Sequence, residues 1–376
     1  MNFDKVSELL DRLADSTLRC CGLSVTLDGK PVYERYSGFS DEGKTRRAAP
    51  DDRYWIYSAT KVITCVAAMR LLEEGKISLD DPVSKYFPEY LDQKVADPKT
   101  KEVRPAAGPM KVIHLFTMTG GLSYDLKTPE ILLAAQMPGA STLDIVGAVG
   151  KTPLLFDPGT RYKYSLCHDV LAGIVELVSG MPFGEYCEKN IFKPLGMEHT
   201  TFHPSESDMS RMADQYRFRL ADGTSRSVGK NNTFFITPDY ESGGATCCST
   251  VDDYSRLTAA LSCGGKSDGV RILKEETVEM MEVNRLCDAA LADFVTGRLY
   301  GYGWGLCGRV HINPEYSLSR SAAGEFGWDG AAGAFALADR RNRVGYYFGT
   351  HMLGCTYLYH WVHPLLRNMI YEALDG

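Results

Sequence analysis

Ser58 and Lys61 stand three positions apart, at the point where the apolar run Tyr54-Trp55-Ile56-Tyr57 gives way to Val62-Ile63-Thr64-Cys65-Val66. A three-residue spacing puts both side chains on one face of a helix. A serine hydroxyl is a weak nucleophile until a neighbour takes its proton. Lysine can do so where burial or nearby positive charge pulls its pKa towards neutrality. Near a helix N-terminus, the Ser58 amide also faces a direction that favours negative charge. Ser227-Val228-Gly229-Lys230 has the same spacing, but lies among Gly, Asp, Asn and Arg with no apolar helix after it. That copy reads as a solvated loop.

Tyr164 is the second candidate. It follows the turn Phe156-Asp157-Pro158-Gly159-Thr160 and precedes Ser165, read as the N-cap of a helix whose apolar stripe is Val170, Leu171, Ile174, Val175 and Val178. A phenol beside an ammonium can lose its proton well below its usual value of about 10. It can then act as base towards Ser58 and as acid towards a leaving group. The third candidate is Gly324-Glu325-Phe326-Gly327-Trp328-Asp329-Gly330-Ala331-Ala332-Gly333. Its small residues let a substrate or another backbone come close, so an exposed N–H there can complete an oxyanion hole with Ser58.

The elements that must position these groups follow from periodicity. Residues 3–14 read as a short amphipathic helix, and Leu23–Leu27 and Pro31–Tyr36 flank Asp28-Gly29, a type I′ hairpin signal. The Ser58 helix carries apolar residues at Val62, Cys65, Val66, Met69 and Leu72, one buried face, and ends at Gly75. From about residue 76 to 297, short helices alternate with polar connections. Of these, Lys94–Lys111 reads as an exposed excursion and Ser205–Tyr240 as a long segment able to cover a cleft. Tyr302–Val310, Ala334–Ala338 and Val344–Thr350 look extended, and a last helix follows Pro364. Strands at both chain ends imply one sheet assembled from both. The expected division is 1–75 with 298–376 as the sheet subdomain and 76–297 as a mostly helical subdomain packed against it.

At 376 residues, with 44% hydrophobic and 24% charged content, the chain has the material for a sizeable core. A net charge of −7 without a basic stretch argues against nucleic acid, and no apolar run is long enough to span a bilayer. The N-terminus lacks a basic start followed by an apolar block. Eleven cysteines without a Cys-x-x-Cys pair fit a reduced, cytoplasmic protein. His199 with His203, and His360 with His363, lack a third ligand in sequence, so no metal or other cofactor is expected. Gly303-Trp304-Gly305-Leu306-Cys307-Gly308 matches a dinucleotide fingerprint in form only, since no apolar helix follows. Gly264-Gly265-Lys266-Ser267 lacks the earlier glycine of a phosphate loop. Gly-x-Ser-x-Gly is absent.

Taken together, the motifs resemble the superfamily of class C β-lactamases, penicillin-binding proteins and esterases, most of all its family VIII carboxylesterase branch. The likeness rests on Ser58-x-x-Lys61, Leu115-Phe116-Thr117-Met118-Thr119-Gly120-Gly121-Leu122, Phe156-Asp157-Pro158-Gly159-Thr160 before Tyr164, Pro194-Leu195-Gly196-Met197, Gly243-Gly244-Ala245 and Tyr302-Gly303-Trp304-Gly305, in this order. It implies a serine β-lactamase/DD-peptidase-like α/β (α+β) fold, an antiparallel sheet flanked by helices plus a mostly helical subdomain. It also implies Ser58 as nucleophile, Lys61 and Tyr164 sharing the proton work, and the amides of Ser58 and Ala331 as oxyanion hole. Tyr57, Leu166, Trp328, Asp329 and Gly330 would meet the substrate.

Two departures stand out. The family's Tyr-x-Asn is here Tyr164-Ser165-Leu166, and its Lys-Thr-Gly or His-Thr-Gly is Trp328-Asp329-Gly330. A charge-assisted hydrogen bond is worth about 1.5–3 kcal/mol, so losing the family's cation weakens binding of a substrate carboxylate by roughly tenfold to over a hundredfold. Asp329 would add repulsion, and Trp328 would offer an apolar wall. Arg161 and Arg320 are the cations able to substitute from elsewhere. The expected activity is hydrolysis of small uncharged carboxylic esters, or acyl transfer from the same intermediate. The alternatives are an amidase, D-amino-acid peptidase or weak β-lactamase, and a catalytically weak penicillin-recognising protein.

Overall fold

A computed structural model describes residues 1–97, 99–100, 102–295 and 299–376. Helix α1 (Asp4–Leu13) leads into strands β1 (Cys20–Leu27) and β2 (Lys30–Gly38). Between these strands, Asp28 and Gly29 have φ of 53° and 75°, the left-handed pair that a type I′ turn requires. Helix α2 (Thr60–Glu73) follows the single turn Tyr57–Ala59, helix α3 covers Cys167–Ser179, and α4 covers Val251–Ser262. The chain then returns through β3 (Tyr302–Gly305), β4 (Gly308–His311), β5 (Phe326–Gly327), β6 (Phe335–Asp339) and β7 (Val344–Thr350) to α5 (His363–Asp375).

The seven strands form one antiparallel sheet in the order β3-β4-β5-β6-β7-β1-β2. Strand β1 from the start of the chain therefore lies between β2 and β7, with Leu23 opposite Phe348. Both faces of the sheet are covered, so β1 is buried along nearly its whole length instead of alternating. On one face, Val6 and Leu10 of α1 and Leu366 and Ile370 of α5 pack with Leu23, Val25 and Phe348. On the other face lies α4, with the Tyr254 ring stacked 4.2 Å from that of Tyr347.

Three local expectations change. Tyr302–Val310 is two strands, β3 and β4, turning at Leu306-Cys307, because Gly308 takes a φ of 109° and reverses the chain. Helix α2 is buried on every side from Thr60 to Met69 and not on one face only, because it lies inside the main core against α3 and the neighbouring helices. Ser165 is not a cap: α3 starts after Leu166, and the Ser165 hydroxyl donates to Cys167 Sγ at 3.1 Å. The expected subdomain boundary at 297–298 lies outside the described residues. Among the described residues, no single helix is long and apolar enough to cross a membrane.

Candidate active site

Ser58 lies in the turn that leads into α2, where the first N–H groups of a helix have no intrahelical acceptor. Tyr57 before it has a φ of +47°, a left-handed conformation that costs a bulky residue about 1–2 kcal/mol. Its side chain anchors it there: it is 2% exposed, its hydroxyl donates to Gln215 Oε1, and its ring lies edge-on to Phe234 at 5.9 Å. Tyr57 thus serves the bend before the nucleophile and does not line the cleft.

Lys61, on the first turn of α2, is 1% exposed. Its Nζ donates to the Gly244 carbonyl at 2.8 Å and lies 3.5 Å from Ser58 Oγ and 3.4 Å from the Tyr124 hydroxyl. Gly244 leaves room for this approach, since a Cβ there would sit 3.0 Å from Nζ and 2.9 Å from Asp169 Oδ2. Tyr164 comes from the segment before α3, and Lys61 Nζ lies 4.7 Å from its ring centre. Tyr164 stacks on Tyr124 at 5.4 Å and 10°. The structure therefore brings Ser58 and Lys61 into one cluster with Tyr164, more than a hundred positions away in sequence.

Burial works against the Lys61 ammonium, but Tyr124, Tyr164 and Asp169 all work for it, and the balance raises its pKa above the ordinary lysine value. Burial pushes the Tyr124 phenol up to about 12 against the pull of Lys61, so Tyr124 stays protonated at neutral pH. Tyr124 and the Gly244 carbonyl escaped the sequence reading. The first is one tyrosine in an irregular loop, and the second is a backbone atom that no residue type marks.

On the other side of Tyr164 lies the loop after β5. The Trp328 indole N–H donates to the Tyr164 oxygen at 2.9 Å. Gly330 packs so closely on the Ile56 backbone that a Cβ would meet its carbonyl oxygen at 2.4 Å, which sets the next residue, Ala331, beside the Ser58 turn. Among the described residues, none accepts from the Ala331 amide.

The Beta-lactamase family model matches residues 7–352. The chain belongs to the beta-lactamase family. Protein Rv1367c of Mycobacterium tuberculosis is 31% identical over 300 residues, covering 77% of this chain and 75% of that one. Esterase EstB of Burkholderia gladioli is 27% identical over 378 residues, covering 94% and 86%. The solved structure of EstCE1, described as a hydrolase with promiscuous acyltransferase activity, has a TM-score of 0.78 at 22% identity, covering 99% of this chain and 98% of that one. The protein is a serine hydrolase of this family, with its mixed α/β fold.

As a beta-lactamase family member, it departs from the sequence reading at several positions. Asp329 does not present a charge to the cleft: it is 4% exposed, and Arg309 Nη1 donates to its Oδ1 at 3.2 Å. Trp328 is a buried, hydrogen-bonded ring edge-on to Trp304 at 4.6 Å, and not an open wall. Leu166 is buried in the main core, its amide donating to the Ser123 carbonyl at 3.2 Å. Neither arginine considered as a substitute cation is idle, for Arg161 pairs with Asp293 and Arg320 with Glu372 and Asp375. The Ser205–Tyr240 segment does reach the site, through Phe234, whose ring lies 6.1 Å from Tyr124. His203 holds Glu241 at 2.6 Å.

Proposed function

We propose that the protein hydrolyses small uncharged carboxylic esters through an acyl-enzyme on Ser58. One observation carries this reading: Lys61 Nζ, 3.5 Å from Ser58 Oγ, shares its surroundings with Tyr164, and the opposing group on Tyr164 is the uncharged indole of Trp328. In this reading Tyr164 acts as the phenolate, its own proton released to solvent beforehand, and its oxygen, beside the Lys61 ammonium and the Trp328 indole N–H, takes the Ser58 proton. As that proton leaves, Oγ bonds to the ester carbon and the carbonyl electrons move onto its oxygen, which the amides of Ser58 and Ala331 receive. Collapse breaks the bond to the alkoxide, which takes the proton back from Tyr164. Water then repeats the sequence on the acyl-enzyme and releases the acid.

In this reading Lys61 is a fixed cation beside the reacting groups, and Tyr164 is the group that moves the proton. Transfer of the acyl group to an alcohol other than water uses the same intermediate, and the activity described for EstCE1 supports it as a second reading. Substrates with a carboxylate find no cation at position 328, and Arg161 and Arg320 are engaged elsewhere. The reading extends to a reducing, cytoplasmic setting, supported by the free thiols of all the cysteines.

The test is turnover of p-nitrophenyl acetate and butyrate beside a penicillin and a cephalosporin, in the native protein and in Ser58→Ala. We expect ester turnover and fluorophosphonate labelling that vanish in the variant, with β-lactam turnover at least about tenfold to a hundredfold weaker. Equal turnover of the cephalosporin would refute the substrate preference. Undiminished ester turnover in Ser58→Ala would place the nucleophile elsewhere.

A further inference from the structure

The loop from Trp328 to Ala334 brings two groups to the cleft, the indole N–H on Tyr164 and the Ala331 amide. What fixes its path lies behind it. Arg309, on β4, is 2% exposed and donates to three acceptors: Asp329 Oδ1 at 3.2 Å, Glu325 Oε1 at 3.1 Å and the Ala336 carbonyl at 3.2 Å. Its guanidinium lies 4.3 Å from the centre of the Phe335 ring. Asp329 is also 3.9 Å from His363 Nδ1, and the other nitrogen of that imidazole lies 3.0 Å from the Gly333 carbonyl. The Tyr359 hydroxyl donates to the Gly330 carbonyl at 2.8 Å. These tethers, at Asp329, Gly330 and Gly333, meet the loop within two residues of Ala331.

Stability does not require an ion pair at this place. Two buried charges lose their hydration, and apolar side chains of similar volume often fill such a site at no loss. What a guanidinium–carboxylate contact supplies is direction, because its donors leave the plane at fixed angles. Arg309 is itself fixed by Glu325 and the Ala336 carbonyl, so the Asp329 carboxylate is held to a frame that does not move with the loop. Peptide planes carry that constraint two residues on, to the amide of Ala331.

We propose that Arg309 and Asp329 are a positioning pair for the oxyanion hole: their contact behind the sheet sets the direction of the Ala331 amide and the seat of Trp328. The inference rests on the Ser58 acyl-enzyme reading. It gives the residue at the centre of Trp328-Asp329-Gly330 a role in geometry and none in contact with substrate.

Asp329→Ala breaks the tether while Arg309 keeps Glu325 as counter-charge, so no lone cation is left in the core. Asp329→Asn keeps an acceptor without the charge. The measurements are kcat and KM on p-nitrophenyl acetate, inhibition by phenylboronic acid, whose tetrahedral adduct with Ser58 puts an oxygen into the hole, and the melting temperature. We expect kcat to fall about thirtyfold in Asp329→Ala, with boronate affinity falling in step and KM changing by less than about twofold. Asp329→Asn should fall between the variant and the native protein. If Asp329→Ala folds and melts lower but keeps its kcat and boronate affinity, the pair is structural only and the inference fails. If Asp329→Ala does not fold, Asp329→Asn decides: weaker boronate binding supports the role, and unchanged binding overturns it. A native protein that a fluorophosphonate does not label at Ser58 brings down the acyl-enzyme reading and the pair's role with it, a failure visible before any Asp329 variant is made.

Discussion

Two cations are buried on opposite sides of the cleft, and their company differs. Arg309 meets two carboxylates, Glu325 and Asp329, so its charge is spent on holding β4, β5 and the following loop together. Lys61 meets a carbonyl, a serine hydroxyl and two phenols, and among the described residues no carboxylate lies within salt-bridge distance of it. Asp169 supports the ammonium from farther off, without a direct ion pair. With no carboxylate in direct contact, its Nζ faces Ser58 and the phenols, where negative charge forms in the proposed reaction. One charge therefore acts through the loop it holds and the other directly beside the nucleophile, and partners make the difference, not depth.

Single replacements separate the two. In Lys61→Met, kcat on p-nitrophenyl acetate should fall by about 10³-fold, while thermal unfolding shows no loss of stability beyond about 1 kcal/mol. Destabilisation comparable to that of an Arg309 variant would erase the contrast. Arg309→Met strands two buried carboxylates and should cost about 3–5 kcal/mol in denaturant unfolding.

Acid sharpens the comparison on the Lys61 side. His168, fully buried with Nε2 3.2 Å from the Phe116 carbonyl, is pushed down to about 3 by burial and then by the Lys61 charge. Burial likewise lowers His351, beside Trp55, to about 4. Both folded values lie below the unfolded one of about 6.5, so the unfolded chain binds more protons between them. Stability is therefore present above about pH 6.5 and falls with pH below it, by about 1.4 kcal/mol per unit per histidine until the folded value is reached. His168→Gln should remove one such slope in unfolding measured from pH 7 to 4.5, and an unchanged slope would contradict the burial argument. The smallest effect is expected at the phenol itself. Trp328→Phe removes one neutral donor to Tyr164 and should lower kcat about fivefold to tenfold, with the melt little changed.

Local patterns carried much of the fold. Asp28-Gly29 dictates a hairpin wherever it stands between apolar runs, and the Ser58 helix shows its period and its Gly75 stop. What sequence concealed depends on distant partners. Asp329 reads as a charge facing substrate until Arg309, on the adjacent strand in register with Gly327, is seen to take it. The neutral lysine was a sound inference from burial alone. Tyr124, sixty-three positions away, and Asp169 work the other way, towards the charged form, and no local pattern announces them. Leu166 looks like a substitution within a binding motif, and its role in the core shows only once α3 is packed.

The place of β1 in the sheet has a consequence for biogenesis. Its closing contact, from the Thr350 hydroxyl to the Cys20 carbonyl, joins residues 330 positions apart. At about 5–20 residues per second, a ribosome leaves that edge unpaired for on the order of tens of seconds, with Ser58 and Lys61 already emerged. The strand that completes the sheet is also made after the loop bearing Ala331, with only the segment up to α5 still to follow. A nascent chain thus carries its nucleophile long before it can stabilise an oxyanion, and hydrolytic power arrives only with the finished molecule.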